Sequence, residues 1–365
     1  MARYDFSRLS VLVVEDSLFM RSLIVGVLRA LGIERISTAE NGEEAIAIMS
    51  PAGKKTKSMV GMSGIDLIIC DQFMPLVDGT MFLHWVRRHD RSPDRFIPFI
   101  MVSAAADREV IEKARDAGID EFLAKPFSAT MLASRLTACV ERPRPYIYCP
   151  TFFGPDRRRR QRPVAEDRRV STKEDKEIVH SGKDLSSLRK SKKRIWEIRK
   201  PRNLKQKLAT GFGGAGSDEE PAFDMALLDA AENKVKDMES DYADWVQDSI
   251  EKLTQAHHRA IEFMDDPAEQ AEHLNTIHTI ALELRGQGGI FGYPLMTQFG
   301  KSLYECTEEG TRITGPLLDL ISAHIDLIRV VMGQKIKGDG GRTGQELLNS
   351  LREAQDKHQQ MEEGG

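Results

Sequence analysis

The stretch DLIICDQFMPLVDG, residues 66–79, decides how the amino-terminal third of the chain is read. Leu67 to Cys70 make a short apolar run that suits a strand buried on both faces, and the run stops on a carboxylate, Asp71. Four more runs of this kind surround it: VLVVED (11–16), RISTA (35–39), PFIMVSA (98–104) and EFLAKP (121–126). Segments of helical period separate them, at 17–31, 43–49, 80–89, 107–117 and 128–140. Five such alternations predict an α/β domain over residues 1–142, a doubly wound, five-stranded parallel sheet with helices on both faces. PAGKKTKSMVGMSG (51–64) interrupts the pattern and is expected to be a mobile loop.

The whole chain has 365 residues, 41% hydrophobic and 30% charged, which suits a soluble protein of about two domains. No apolar run approaches the roughly 20 residues of a membrane span, and MARYDFSRLS lacks the apolar core of a signal peptide. Cys70, Cys139, Cys149 and Cys306 follow no metal-ligand spacing, so reduced thiols and a cytoplasmic location are expected.

Net charge is −4, yet residues 143–210 hold 21 Lys/Arg against 8 Asp/Glu, a surplus of 13 that leaves −17 on the rest. With prolines at its start and GFGGAGSDEEP (211–221) near its end, the segment 143–222 reads as a basic, largely disordered linker. Arg157–Arg160 beside Phe152 and Phe153 would also suit nucleic acid, but no known nucleic-acid motif accompanies them, and a solvated tether is the simpler reading. From residue 223 the period is helical: Tyr242, Val246, Ile250 and Leu253, then Leu274, Ile277, Ala281 and Leu284, then Leu295, Phe299 and Leu303, then Leu317, Ile321, Ile325 and Ile328. This predicts an all-α four-helix bundle over 223–335 and a flexible tail, 336–365, with one loose helix.

In a doubly wound sheet, ligands bind beyond the carboxyl ends of the strands. Those ends carry Glu15 and Asp16, Asp71, Ser103 and Lys125. Three converging carboxylates repel unless a hard divalent cation joins them, and Mg²⁺ favours a few carboxylates with water and phosphate oxygens. Asp71 could then attack phosphorus while Ser103 and Lys125 hold the developing charge. Asp16 alone could equally be a cap for the following helix.

VLVVEDS, DQFMPLVDG, MVSA and FLAKPF resemble, in order, the four signature segments of bacterial response-regulator receiver domains. The resemblance implies that Asp71 accepts the phosphoryl group, that Glu15, Asp16 and Asp71 hold Mg²⁺, and that Ser103 and Lys125 contact the phosphoryl oxygens. It makes Phe122 the switch aromatic. No enzymatic activity is implied beyond the domain's own phosphorylation and dephosphorylation.

LELRGQGGIFGY (282–293) spends four glycines at the end of a helix, where each costs about 1 kcal/mol relative to alanine. The bundle resembles histidine phosphotransfer domains, whose motif runs His-x-Leu-Lys-Gly followed by small residues. Leu284, Arg285 and Gly286 align on Leu-Lys-Gly, and Gln287, Gly288, Gly289 and Gly292 follow. Leu282 then stands where the histidine belongs, and leucine has no nucleophilic nitrogen. His278, one turn earlier, is either a displaced acceptor or a half-buried, hydrogen-bonded histidine. Leu282, Arg285, Gly286 and Gly289 are therefore the candidate partner-binding face, for this chain's own or another receiver domain. Close packing inside the bundle or in a homodimer would also account for the glycines.

The expected function is phosphorylation on Asp71 by a histidine kinase or phosphotransfer protein, with output through protein interaction by a bundle that no longer transfers phosphate. Two alternatives stand beside it: a working phosphorelay through His278, and a nucleic-acid-binding regulator acting through the basic linker.

Overall fold

Leu67–Asp71 forms β3, the centre of a five-stranded sheet ordered β2-β1-β3-β4-β5. Its partners are β1 (Ser10–Val14), β2 (Arg35–Ala39), β4 (Phe99–Ser103) and β5 (Glu121–Ala124). The pairings of β1 with β2 and β3, and of β3 with β4, are parallel. The computed structural model describes residues 4–50, 64–104, 108–149, 151–157, 176–179, 195–199, 204–209, 222–264, 266–308 and 310–363. Most of the 51–64 loop lies outside the described residues.

Helices α1 (Leu18–Ala30), α2 (Gly42–Met49), α3 (Gly79–Arg88), α4 (Arg108–Ala117) and α5 (Ala129–Glu141) alternate with the strands. Polar side chains start them: Ser17 caps α1, Asn41 caps α2 and Asp78 caps α3. Leu12, Ile68, Phe82, Phe99 and Met101 are buried together in the core beside the sheet. Each such side chain contributes about 1.5–3 kcal/mol. By contrast β2 is an edge strand in which Ala39 alone is fully buried.

The segment expected to be largely disordered carries ordered structure. β6 (Tyr146–Cys149), β7 (Phe152–Pro155), β8 (Lys176–Val179) and β9 (Ile195–Ile198) form a second sheet ordered β7-β6-β9-β8. Aromatic residues make this possible: Tyr146 and Phe153 pack with Phe96 and Ile198 in their own small core. The arrangement turns on Arg87, a fully buried cation of α3. It donates to the carbonyls of Arg95 at 2.9 Å, Ile97 at 2.7 Å and Gly118 at 3.1 Å, and to the Asp120 carboxylate at 2.8 Å. The Tyr146 hydroxyl donates to the same carboxylate at 3.2 Å, and its ring centroid lies 5.4 Å from the guanidinium carbon. A short helix, α6 (Leu204–Leu208), packs on α5, and its Lys207 pairs with buried Asp66.

Contacts divide the chain into two units, Met1–Leu123 with Ala129–Lys234, and Ala124–Ser128 with Val235–Gly365. The boundary falls inside α7 (Met225–Asp237). The second unit holds α8 (Glu239–Glu262), α9 (Pro267–Gln287), α10 (Pro294–Cys306), α11 (Gly315–Gly333) and α12 (Gly341–Glu363). α8 packs on α9, α9 on α10, α10 on α11, and α11 back on α8, a closed four-helix ring. Gly300 lets α9 and α10 approach closely, since a Cβ there would lie 2.5 Å from the Arg285 nitrogen. The tail differs from a loose end. α12 packs along α11, buries Leu351, and donates from Gln355 to the Ser302 hydroxyl at 2.9 Å.

Candidate functional site

The site begins with two strands that end in acid. β1 leads into Glu15 and Asp16, and β3 ends on Asp71. Parallel register sets Val14 beside Cys70, so the two acidic ends leave the sheet at the same level. Oxygen atoms of Glu15, Asp16 and Asp71 all lie within 4.8 Å of one another. Glu15 and Asp71 are buried, at 1% and 7% exposure. Three hard oxygen donors this close suit a small divalent cation such as Mg²⁺.

The loop from β1 to α1 is held by Arg21, whose guanidinium donates to the carbonyl of Glu15 at 2.5 Å and pairs with Glu40 at 2.9 Å. The helix cap is Ser17 rather than Asp16, whose carboxylate instead accepts the Ser17 N–H at 3.0 Å. After β3 the chain folds back tightly, with the Gly79 N–H donating to the carbonyl of Gln72 at 3.0 Å. Ser103 is the last residue of β4 and is fully buried, and Lys125 directly follows β5. Phe122, on β5, packs half-buried against the sheet core. The topology thus brings Glu15, Asp16, Asp71, Ser103 and Lys125 to the carboxyl end of one sheet.

The glycine stretch in the bundle divides in two. Arg285 and Gly286 are buried, which corrects the expectation that both lie on a partner-binding face, and Gly288 is buried too. A Cβ on Gly288 would lie 2.7 Å from Met296 Cβ and 2.8 Å from the Tyr293 carbonyl oxygen, so this glycine serves packing inside the bundle. Gly289 is different. Within the same unit, a Cβ there would lie 2.5 Å from Cγ of Pro126, so the glycine yields its space to that ring. Leu282 is half-buried, while Arg285 is buried with its guanidinium carbon 5.5 Å from the centroid of the Tyr304 ring.

His278 stacks on the other part of that environment, its ring centroid 4.2 Å from that of Tyr304. Its Nδ1 lies 3.1 Å from the Thr307 hydroxyl, and that hydroxyl donates to the carbonyl of Leu303 at 2.7 Å. A hydroxyl that donates to the Leu303 carbonyl can accept from a protonated Nδ1, the tautomer that carries its lone pair on Nε2. Burial holds the His278 imidazole below its usual range.

Sequence reasoning missed the Arg87–Asp120–Tyr146 cluster and the second sheet. The alternation in YIYC beside TFF was the available signal, masked by the surrounding charge. That sheet also uses the aromatics a stacking surface would need. Phe152, Phe153 and Trp196 are buried, and Arg157 sits over the Phe152 ring at 4.1 Å and pairs with Asp116 at 3.1 Å. Arg158 to Arg160 lie outside the described residues. No helix among the described residues is long and apolar enough to cross a membrane.

Comparison with known proteins agrees with the receiver fold. Residues 11–137 match the family model described as response regulator receiver domain. A chemotaxis protein CheY of Pseudomonas aeruginosa is 30% identical over 134 residues, which is 37% of this chain and 98% of the relative. The chemotaxis protein CheY-3 of Vibrio cholerae is 28% identical over 134 residues, covering 37% of this chain and 93% of the relative. Among solved structures, a CheX-CheY-BeF3-Mg complex from Borrelia burgdorferi aligns at 25% identity over 36% of this chain and 87% of that one, with a TM-score of 0.30. The receiver domain of a sensor histidine kinase from Pseudomonas aeruginosa, with a magnesium ion in its active-site cleft, aligns at 26% identity over 35% of this chain and 94% of that one, with a TM-score of 0.29. By residues 11–137, this chain belongs to the response-regulator receiver family.

Proposed function

We propose that the chain is a response regulator phosphorylated on Asp71 by a histidine kinase or phosphotransfer protein, with output through protein interaction of its helical bundle. The convergence of Glu15, Asp16 and Asp71 within 4.8 Å carries this reading. These three residues would hold Mg²⁺, which when bound supplies positive charge against both the carboxylates and the phosphoryl oxygens. The Asp71 carboxylate attacks phosphorus; the new O–P bond forms as the donor's bond to phosphorus breaks and its electron pair leaves with the donor. Ser103 donates its hydroxyl hydrogen to one phosphoryl oxygen and Lys125 pairs with another. Ser103 moves toward the new group, Phe122 follows, and the surface near β4 and β5 changes its affinity for partners.

In the bundle, the motif position held by Leu282 has no nucleophile, so the helix face binds without accepting phosphate. The space that Gly289 gives to Pro126 supports a seat shaped for a Lys-Pro segment of a receiver domain. The test of the site is acetyl phosphate at graded Mg²⁺. Wild-type protein should be phosphorylated only with the metal, and Glu15→Ala with Asp16→Ala should raise the half-saturating Mg²⁺ at least tenfold. Metal-independent phosphorylation would end this reading.

A second reading has its own observation. The hydrogen bond between His278 Nδ1 and the Thr307 hydroxyl suits the neutral tautomer with its lone pair on Nε2, the form that can attack phosphorus. Acid-labile phosphate on the Asp71→Asn variant after treatment with a phosphorylated receiver domain would favour a working phosphorelay. Its absence there would leave His278 a structural residue.

A further inference from the structure

α7 begins on the receiver unit and is fastened to it at four places. Phe223, just before the helix, stacks on Phe6 with ring centroids 4.0 Å apart and planes 7° from parallel. Leu227 reaches Gly32, where a Cβ would lie 3.9 Å from its Cδ1. Lys234 lays its stem on Gly26 of α1, where a Cβ would lie 3.0 Å from Cε and 3.3 Å from Cγ. The fourth contact is polar. The Glu232 carboxylate accepts both the backbone N–H of Thr130, at 3.0 Å, and the Thr130 hydroxyl, at 2.9 Å.

Thr130 is the second residue of α5. Its N–H belongs to the first turn, where amide groups have no partner inside the helix and the helix end is positive. Asp16, Asn41 and Asp78 all act on groups close by in sequence, whereas Glu232 arrives from 102 residues away. The α5 helix starts at Ala129, only three residues after Pro126, and Lys125 precedes that proline. The helix end capped by Glu232 is therefore the end into which the Lys125 segment runs.

We infer that Glu232 is a positioning residue for the phosphorylation site and that α7 is released from α1 and α5 when Asp71 is phosphorylated; the inference rests on the Asp71 reading. The sign follows from charge. A phosphoryl group on Asp71 draws the Lys125 ammonium toward it, and the segment 125–128 carries that pull into the first turn of α5. Glu232 is a second anion drawing on the same positive end. Two anions competing for one positive region weaken each other's binding. Phosphorylation thus loosens the Glu232 cap, and the cap in turn opposes phosphorylation, since coupling between two binding events is reciprocal. α7 crosses the boundary between the two units after Lys234 and leads into α8.

The test uses the full-length protein with beryllofluoride and Mg²⁺ as the phosphoryl analogue. Hydrogen exchange over residues 222–234 should rise about fivefold on adding the analogue, the lower end of ordinary allosteric coupling. Glu232→Gln, which keeps the acceptor oxygen and removes the charge, should lower the half-saturating beryllofluoride concentration by about the same factor. Gly26→Leu, which displaces the Lys234 stem without touching the cap, should shift it in the same direction. An unchanged or raised half-saturation in both variants, with wild-type protein saturating normally, would overturn the inference alone. Equal response of wild type and Asp71→Asn would overturn the phosphorylation reading and the inference with it.

Discussion

Gly79 stands so close to Asp71 that a Cβ at position 79 would lie 2.1 Å from the Asp71 carbonyl oxygen. The first residue of α3 and the last of β3 are thus in backbone contact, which closes the loop 72–78 tightly. Gly79→Ala should lower receiver stability by about 1–3 kcal/mol, the usual cost of overpacking. It should also weaken Mg²⁺ binding, because Asp71 must move to admit the methyl group. Chemical denaturation paired with Mg²⁺ titration checks both; a variant with unchanged midpoint would show that the loop yields freely.

Arg87 presents a buried cation with four polar partners, and removing it strands Asp120. Arg87→Met should cost about 3–5 kcal/mol, the range for breaking a buried pair from one side. The double substitution with Asp120→Asn should recover part of that loss. Urea denaturation of the three proteins measures it, and full additivity of the two single losses would argue against direct coupling.

The bundle contains its own pH-sensitive element. His324 is fully buried between the Leu320 carbonyl, 2.8 Å from Nδ1, and the Ser302 hydroxyl, 2.8 Å from Nε2. Burial holds its imidazole down at about 4. An unfolded histidine protonates near pH 6.5, so between about 6.5 and 4 the unfolded chain binds a proton that the folded bundle refuses. Stability is full above pH 6.5 and falls as pH drops, by roughly 3 kcal/mol from this group at pH 4. Denaturation from pH 7.5 to 4.5 should show His324→Gln losing its disadvantage to wild type as pH falls; a constant difference would contradict the assignment.

The two central glycines of the motif should respond differently. Gly288→Ala meets Met296 and the Tyr293 backbone and should destabilise the bundle by about 1–3 kcal/mol. Gly289→Ala meets Cγ and Cβ of the Pro126 ring, at 2.5 and 3.0 Å, and the Thr297 hydroxyl at 3.6 Å, side-chain atoms alone and no backbone, so its effect on bundle melting should be smaller. Thermal melts of the two full-length variants give the comparison, and equal losses would place both glycines in internal packing.

The receiver was legible because its signals are local. Apolar runs such as Leu67–Cys70 and the acids that end them are contiguous in sequence, and the repeated strand–helix alternation allows few topologies. The bundle helices were readable for the same reason. The second sheet was obscured because Tyr146, Phe153 and Ile198 are spread over more than fifty residues of basic sequence and need Phe96 to complete their core. Glu232 left no trace either, since a cap is recognised by spacing and Thr130 lies 102 residues away. In LELRGQGGIFGY the small residues were visible, but whether each faces the bundle or the ring of Pro126 depends on packing that spacing alone does not encode.

The most direct measurement is the intact mass of wild-type and Asp71→Asn protein after incubation with acetyl phosphate and Mg²⁺. Wild type should gain one phosphoryl group, absent when the metal is chelated beforehand and lost on standing as the acyl phosphate hydrolyses, and Asp71→Asn should gain none. Phosphorylation of Asp71→Asn at the wild-type rate would contradict the assignment of Asp71 and the function built on it.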